Sequence, residues 1–179
     1  MTTVQSAGRS GLAPRSSRTW AVVLPILLLS FIPVAAGVLR LIQVAGGPAI
    51  IPADHRYADF PAPLIVHIVA SATFLLVGAF QLAPRFRRGH LRWHRRAGRV
   101  LGVAGMLVAA SAIWMTLFYE RHPGTTDLIY LLRLAFGSFL ASALVIGIQA
   151  ARHGDLVTHR AWMIRAYVVA RAAGSQAVT

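Results

Sequence analysis

Histidine and arginine are the residue types in this sequence that could carry chemistry, and three histidines stand at the ends of long apolar runs. His67 follows the start of one run, and His94 and His159 lie just before two others. An imidazole titrates near neutral pH and binds metals, so each ring is a candidate ligand or proton carrier. The chain has no cysteine, which excludes disulfides, thiolate zinc sites, iron–sulfur clusters and cysteine nucleophiles.

His94 and His159 belong to runs that would end at one membrane surface, so they could meet at one depth. A bis-imidazole haem site requires two such histidines from different helices, because the axial ligands approach the iron from opposite faces. Candidate partners for the haem propionates are Arg99, Arg133 and Arg165. The alternative is interfacial, with each histidine bonded to the backbone or to a lipid headgroup.

His67 is part of a stripe of polar and small residues along one predicted helix. Ser71, Gly78 and Gln81 lie within about 40° of it at about 100° per residue, so the stripe faces the interior of the bundle. One interpretation is a seam of interhelical hydrogen bonds. The other makes His67 a ligand of haem or of a metal, or a proton carrier. The sequence defines no specific metal site around it.

A second face of small residues lies on the following helix, where Gly98, Gly102, Gly105 and Ala109 align. Gly98 and Gly102 have the GxxxG spacing that lets two membrane helices approach closely. The pattern predicts helix packing, within the bundle or between copies of the chain, and not catalysis.

Arg133 lies about two turns inside an apolar run. Its side chain either snorkels to the nearby interface or pairs with an anion, which could be a haem propionate, a lipid headgroup or Asp127.

The composition indicates the environment in which these residues must be positioned. Of 179 residues, 56% are hydrophobic and 13% are charged, whereas about a quarter are charged in an ordinary soluble domain. Arginine supplies all 18 basic residues, against 5 acidic ones. The arginines form short clusters between long apolar runs, which favours a membrane protein and excludes a nucleic-acid binder. The sequence contains no hydrolase, nucleotide-binding or dehydrogenase motif in a segment whose predicted structure would support it.

Helix-length apolar runs predict the fold. A membrane-spanning helix needs about 20 mostly apolar residues, and four runs reach that length: about 20–42, 63–83, 100–118 and 128–151. A fifth, about 161–177, contains Arg165 and Arg171 and would insert only when packed against other helices. We therefore expect an all-α polytopic transmembrane helical bundle over residues 20–179, preceded by a disordered basic arm at 1–19.

Arginine placement predicts the orientation, because short cytoplasmic loops retain basic residues. The N-terminal arm, a predicted loop at residues 85–99 and the segment before the fifth run hold most arginines and fall on one side, while four of the five acids fall on the other. We expect a multi-pass protein of the cell membrane with a cytoplasmic N-terminus. Residues 85–99 would then contact anionic lipid headgroups.

Several of these residues also resemble a family pattern. The matching positions are His67, Gln81, the segment LRWHRRAGR with His94 and Arg99, and GDLVTHRAWMIRAY with Asp155, His159 and Arg165. They resemble a family of predicted bacterial multi-pass membrane proteins, domain of unknown function 2306, from about Pro63 to the end of the chain. The resemblance implies a helical bundle with no established activity, and a kinship with small membrane cytochromes that would make the histidines ligands. Relative to that pattern the chain is expected to lack a last span.

The sequence thus predicts an integral membrane protein without an assigned activity, enzymatic or otherwise. The first alternative is a redox protein linked to b-type haem or to quinone. The residues leave the choice between these two cofactors open. The second is a protein that forms a pathway for a small solute or for protons.

Overall fold

A computed structural model describes residues 17–121 and 124–174. Over these residues the chain is all-α, with no strand, which confirms the predicted fold class. Of the arm predicted for residues 1–19, positions 1–16 lie outside the described residues. The first helix begins at Ser17.

The described residues form six helices and a short 3-10 turn at His55–Tyr57. The helices are α1 (Ser17–Val44), α2 (Ala62–Leu82), α3 (Pro84–Gly89), α4 (Leu91–Phe118), α5 (Asp127–Arg152) and α6 (Leu156–Gly174). Four of them, α1, α2, α4 and α5, are long and apolar enough to cross a membrane. These four helices overlap the four apolar runs, and residues 161–174 of the fifth run form most of α6. The rest of that run lies outside the described residues.

Residues 85–99 are mainly helical, so the prediction of a loop for this segment was wrong. Ala83 is extended and Pro84 opens α3, because proline restricts the residue before it but fits the first turn of a helix. α4 then begins at Leu91, since arginine is a good helix former. The arginines at 92–99 therefore stand on the same rigid helix as the apolar span.

The helices pack around α4, which lies between α2 and α5, while α6 packs on α5 and α2 and α1 packs on α2. Gly105 is at the centre: a Cβ there would lie 2.6 Å from Leu144 Cδ1 and 2.8 Å from Phe74 Cε2. Gly102 faces Ile148, as the small-residue pattern predicts. Gly98 faces open space, so the first glycine of the GxxxG pair makes no close packing contact.

Aromatic rings mark one end of the bundle, as expected for side chains at a membrane interface. The Phe80 ring lies edge-on to both Trp20 and Trp93, with centroids 6.4 Å apart in each pair. This end also holds residues 92–99, the end of α5 and the start of α6, and we call it the basic end. Between the two ends many large apolar side chains point outward; Phe31 of α1 is 70% exposed.

Candidate functional site

The corner between α5 and α6 positions His159 at the basic end. Gly154 has φ +80, a conformation that glycine adopts without strain. Asp155 then caps α6, since its Oδ1 accepts a hydrogen bond from Thr158 N at 2.9 Å. Hydrogen bonds from Thr158 lower the pKa of Asp155, so the ionised cap stabilises the corner until the pH falls through that lowered pKa. One turn into α6, His159 Nδ1 donates to Gly147 O of α5 at 2.8 Å.

His94 is held by Gln81 across the break between α2 and α4. Its Nδ1 donates to Gln81 Oε1, and Gln81 Nε2 donates back to His94 O at 3.1 Å. The two bonds set the orientation of both the amide and the ring. The predicted polar stripe on α2 therefore reaches the basic end through Gln81.

The two histidines share one arrangement at one end of the bundle. Each Nδ1 donates to an oxygen acceptor, so in the neutral ring Nε2 keeps its lone pair. His159 lies close enough to His94 to act on it electrostatically, as do Arg87 and Arg95. This arrangement can supply two imidazole Nε2 ligands from two different helices.

His67 lies at the other end of the bundle and belongs to a separate contact. Its Nδ1 is 3.0 Å from Ser111 Oγ of α4, and Ser111 Oγ donates to Leu107 O at 2.6 Å. The buried serine thus links the ring to the α4 backbone. The contact is a seam between α2 and α4, and no other histidine joins it among the described residues.

The three candidate arginines do not converge. Arg165 lies over the Trp162 ring, 4.7 Å from its centroid, and Arg99 is exposed on α4. Arg133 lies towards the other end, near Tyr57. Burial raises the pKa of Tyr57, and the charge of Arg133 is one of those that oppose this rise. Of the alternatives left open for Arg133, the pairing with Asp127 is not observed, because Asp127 Oδ1 accepts from Arg121 Nη1 at 2.6 Å.

A polar cluster between α1, α2 and α6 was not anticipated from the sequence. Tyr167 OH donates to Leu75 O at 2.7 Å, and Arg171 Nη1 donates to Ser30 Oγ at 2.8 Å. Ser30 is fully buried and also donates to Ile26 O. The spacing of Tyr167 and Arg171, four residues apart on one helical face, is the signal that could have indicated it.

An ion pair lies in the connection between α1 and α2, at the end of the bundle opposite the basic end. Arg56 binds Asp54 through two hydrogen bonds of 2.8 and 2.5 Å, and these lower the pKa of Asp54. Tyr57 packs edge-on against Tyr119, with ring centroids 5.1 Å apart. Tyr119 OH donates to Phe60 O, which attaches this connection to the end of α4.

Comparison with known proteins places these features in a family. No curated protein and no solved structure matches the chain. A family model described as "Predicted membrane protein (DUF2306)" matches residues 64–179, a segment that contains His67, His94, His159 and, apart from the first two residues of α2, all of α2 to α6. With four helices able to cross a bilayer and this match over most of its length, the chain belongs to the DUF2306 family, membrane proteins of unknown function.

Proposed function

We propose that the protein is a membrane haem protein in which His94 and His159 would hold the haem iron. The observation that carries this proposal is the shared state of the two rings at the basic end. Each uses Nδ1 as a donor, His94 to Gln81 and His159 to Gly147. Histidines that bind metals commonly donate their other ring N–H in this way, because the bond orients the ring and makes Nε2 a better ligand.

The number of ligands favours haem over a bare metal ion. Within residues 17–121 and 124–174, no group of three or more histidine, aspartate or glutamate side chains could hold a metal. A zinc site needs three or four protein ligands, whereas haem iron needs only two axial ones. Haem held by the His94 and His159 imidazoles would supply one-electron transfer at this end of the bundle.

The basic end also offers partners for the propionates. Arg87 and Arg95 act electrostatically on His94, and Arg165 remains a candidate on α6. Arg99 is exposed and lies about 140° from His94 around α4, so it is no longer a candidate propionate partner. Arg133 precedes the end of α5 by 19 residues, roughly 28 Å along a helix. It could serve only a group bound near His67.

The first test is the visible spectrum of the protein purified in detergent after expression with a supply of haem. We expect a Soret band with sharp α and β bands in the reduced-minus-oxidised spectrum, at close to one haem per chain. His94→Ala and His159→Ala should each abolish these bands, because a low-spin haem needs both ligands.

Two variants serve as controls for this test. His153→Ala removes an exposed histidine at the same end, and His67→Ala removes the partly buried one at the other end; both should keep the haem. A featureless spectrum from folded wild-type protein would contradict the proposal. Equal loss in all four variants would show that the spectrum reports folding and not ligation.

We also infer that the basic end faces the cytoplasm of the cell, so that the N-terminus is cytoplasmic and residues 85–99 contact anionic lipid headgroups. The charge asymmetry supports this orientation, since residues 92–99 carry four arginines and no acid. Alkaline phosphatase fused after Gly124 should be active in a bacterial host, and the same reporter fused after His153 should be inactive. The reverse pattern would contradict the inferred orientation.

A further inference from the structure

A groove runs along the outer surface of the bundle between α2 and α4. Its volume is 660 Å³, within the range of sites that bind small molecules. The walls are apolar side chains such as Val69, Val103 and Leu107, with Thr73 and Arg99 as the polar lining residues. Thr73 Oγ1 donates to Val69 O at 2.8 Å, so its hydroxyl is already bonded. Arg99 is therefore the one charged group that the groove presents.

Arg99 lies at the end of the groove that meets the basic end. It is exposed, and the structure gives it no hydrogen bond or ion pair with any described residue. Arg92 and Arg96 lie within about 60° of it around α4, and Val103 continues the same face into the groove. The apolar groove therefore ends at a row of guanidinium groups on one face of α4.

The two helices that form the groove carry no acidic residue that could balance the charges of these arginines. Neither α2 nor α4 contains an aspartate or a glutamate. A guanidinium matches the geometry of a phosphate, to which it can donate two parallel hydrogen bonds. A ligand with a long apolar part and a phosphate at one end complements both features.

We propose that the groove binds one anionic phospholipid, with an acyl chain lying between α2 and α4 and the phosphate on Arg99. Arg96 and Arg92 extend the anion-binding surface toward the water. A single bound lipid differs from general attraction of the basic end to a charged bilayer, because it requires both the concave apolar wall and the arginine at its mouth.

The lipid site is separate from the proposed haem site. His94 precedes Arg99 by five residues, which places the two side chains about 140° apart around α4. His94 faces Gln81, while Arg99 faces outward. Loss of one ligand therefore does not imply loss of the other, and the two proposals can fail independently.

Native mass spectrometry of the full-length protein released from detergent tests the proposal, with phosphatidylglycerol and phosphatidylcholine of identical acyl chains as probes. We expect one phosphatidylglycerol to stay bound under conditions that remove phosphatidylcholine. Arg99→Gln should weaken phosphatidylglycerol binding about fivefold, which corresponds to about 1 kcal/mol for one basic residue. Val103→Trp, which fills the groove from a position 63% exposed, should weaken both lipids.

Arg152→Gln is the matched control, because Arg152 is an exposed arginine at the same end and outside the groove. It should leave lipid retention unchanged. Circular dichroism melting curves equal to wild type would show that the exposed substitutions preserve the fold. Equal retention of the two lipids by the wild type, or the same loss in Arg152→Gln as in Arg99→Gln, would overturn the proposal. Displacement of the lipid by millimolar inorganic phosphate would also overturn it, since the site would then recognise the anion alone.

Discussion

Replacing Tyr167 with alanine is expected to lower the free energy of unfolding by about 3 kcal/mol, the range for loss of a buried aromatic ring. The ring is 5% exposed, and its centroid lies 5.9 Å from that of Phe74. On the other side it packs on Gly78, where a Cβ would come within 2.6 Å of Tyr167 Cε2. Because α2 and α4 cannot close around the vacated volume without moving Phe74, most of the cavity should remain.

Two comparisons isolate the contribution of the ring. Tyr167→Phe keeps the ring and removes the hydroxyl that donates to Leu75 O, and should cost about 0.6 kcal/mol, the average for such bonds in membranes. Val168→Ala alters the next residue, which is 58% exposed, and should have little effect. Unfolding by SDS in mixed micelles, followed by circular dichroism, gives all three values. A loss for Tyr167→Ala no larger than that for Val168→Ala would show that α6 does not pack on α2 as described.

Gly105→Leu is expected to destabilise the bundle by about 3 kcal/mol, the upper part of the range for overpacking. The position faces Leu144 of α5 and Phe74 of α2 at distances that leave no room even for a Cβ. A leucine would push α4 away from both neighbours. We expect a lower melting temperature and a loss of monodisperse protein in size-exclusion chromatography.

Gly98→Leu provides the matched control on the same helix. A Cβ at Gly98 would meet no atom within 4 Å, so leucine there adds only an outward apolar side chain. This variant should melt at or slightly above the wild-type temperature, because leucine also has the higher helix propensity. If the two leucine variants melted alike, the close approach at Gly105 would be disproved.

The spans could be predicted because their physical requirement is a simple count. A bilayer demands about 20 apolar residues and internally satisfied backbone bonds, and α1, α2, α4 and α5 all meet that demand in their composition. The end of the bundle on which His94 and His159 lie also follows from this count. The arginines of residues 92–99 were misassigned to a loop, since charge patterning reports the membrane boundary and not the end of a helix.

The contacts that orient the histidines could not be predicted in the same way. Gln81 and His94 lie on different helices, and their pairing depends on the turn at Ala83 and Pro84. The pairing of Arg133 with Asp127 fails for a local reason, because residues six apart point about 120° away from each other on a helix. Arg121, in the connection before α5, reaches Asp127 without that restriction.

The contacts of α6 with the earlier helices have a consequence for how the protein is made. Arg165 and Arg171 make α6 a poor substrate for direct insertion from the translocon, and the acceptors for Tyr167 and Arg171 are Leu75 O on α2 and Ser30 on α1. Both acceptors are synthesised nearly a hundred residues or more before α6 leaves the ribosome. We therefore expect α6 to pack only after α1 and α2 are in place, so that its insertion would be a late step in the biogenesis of the protein.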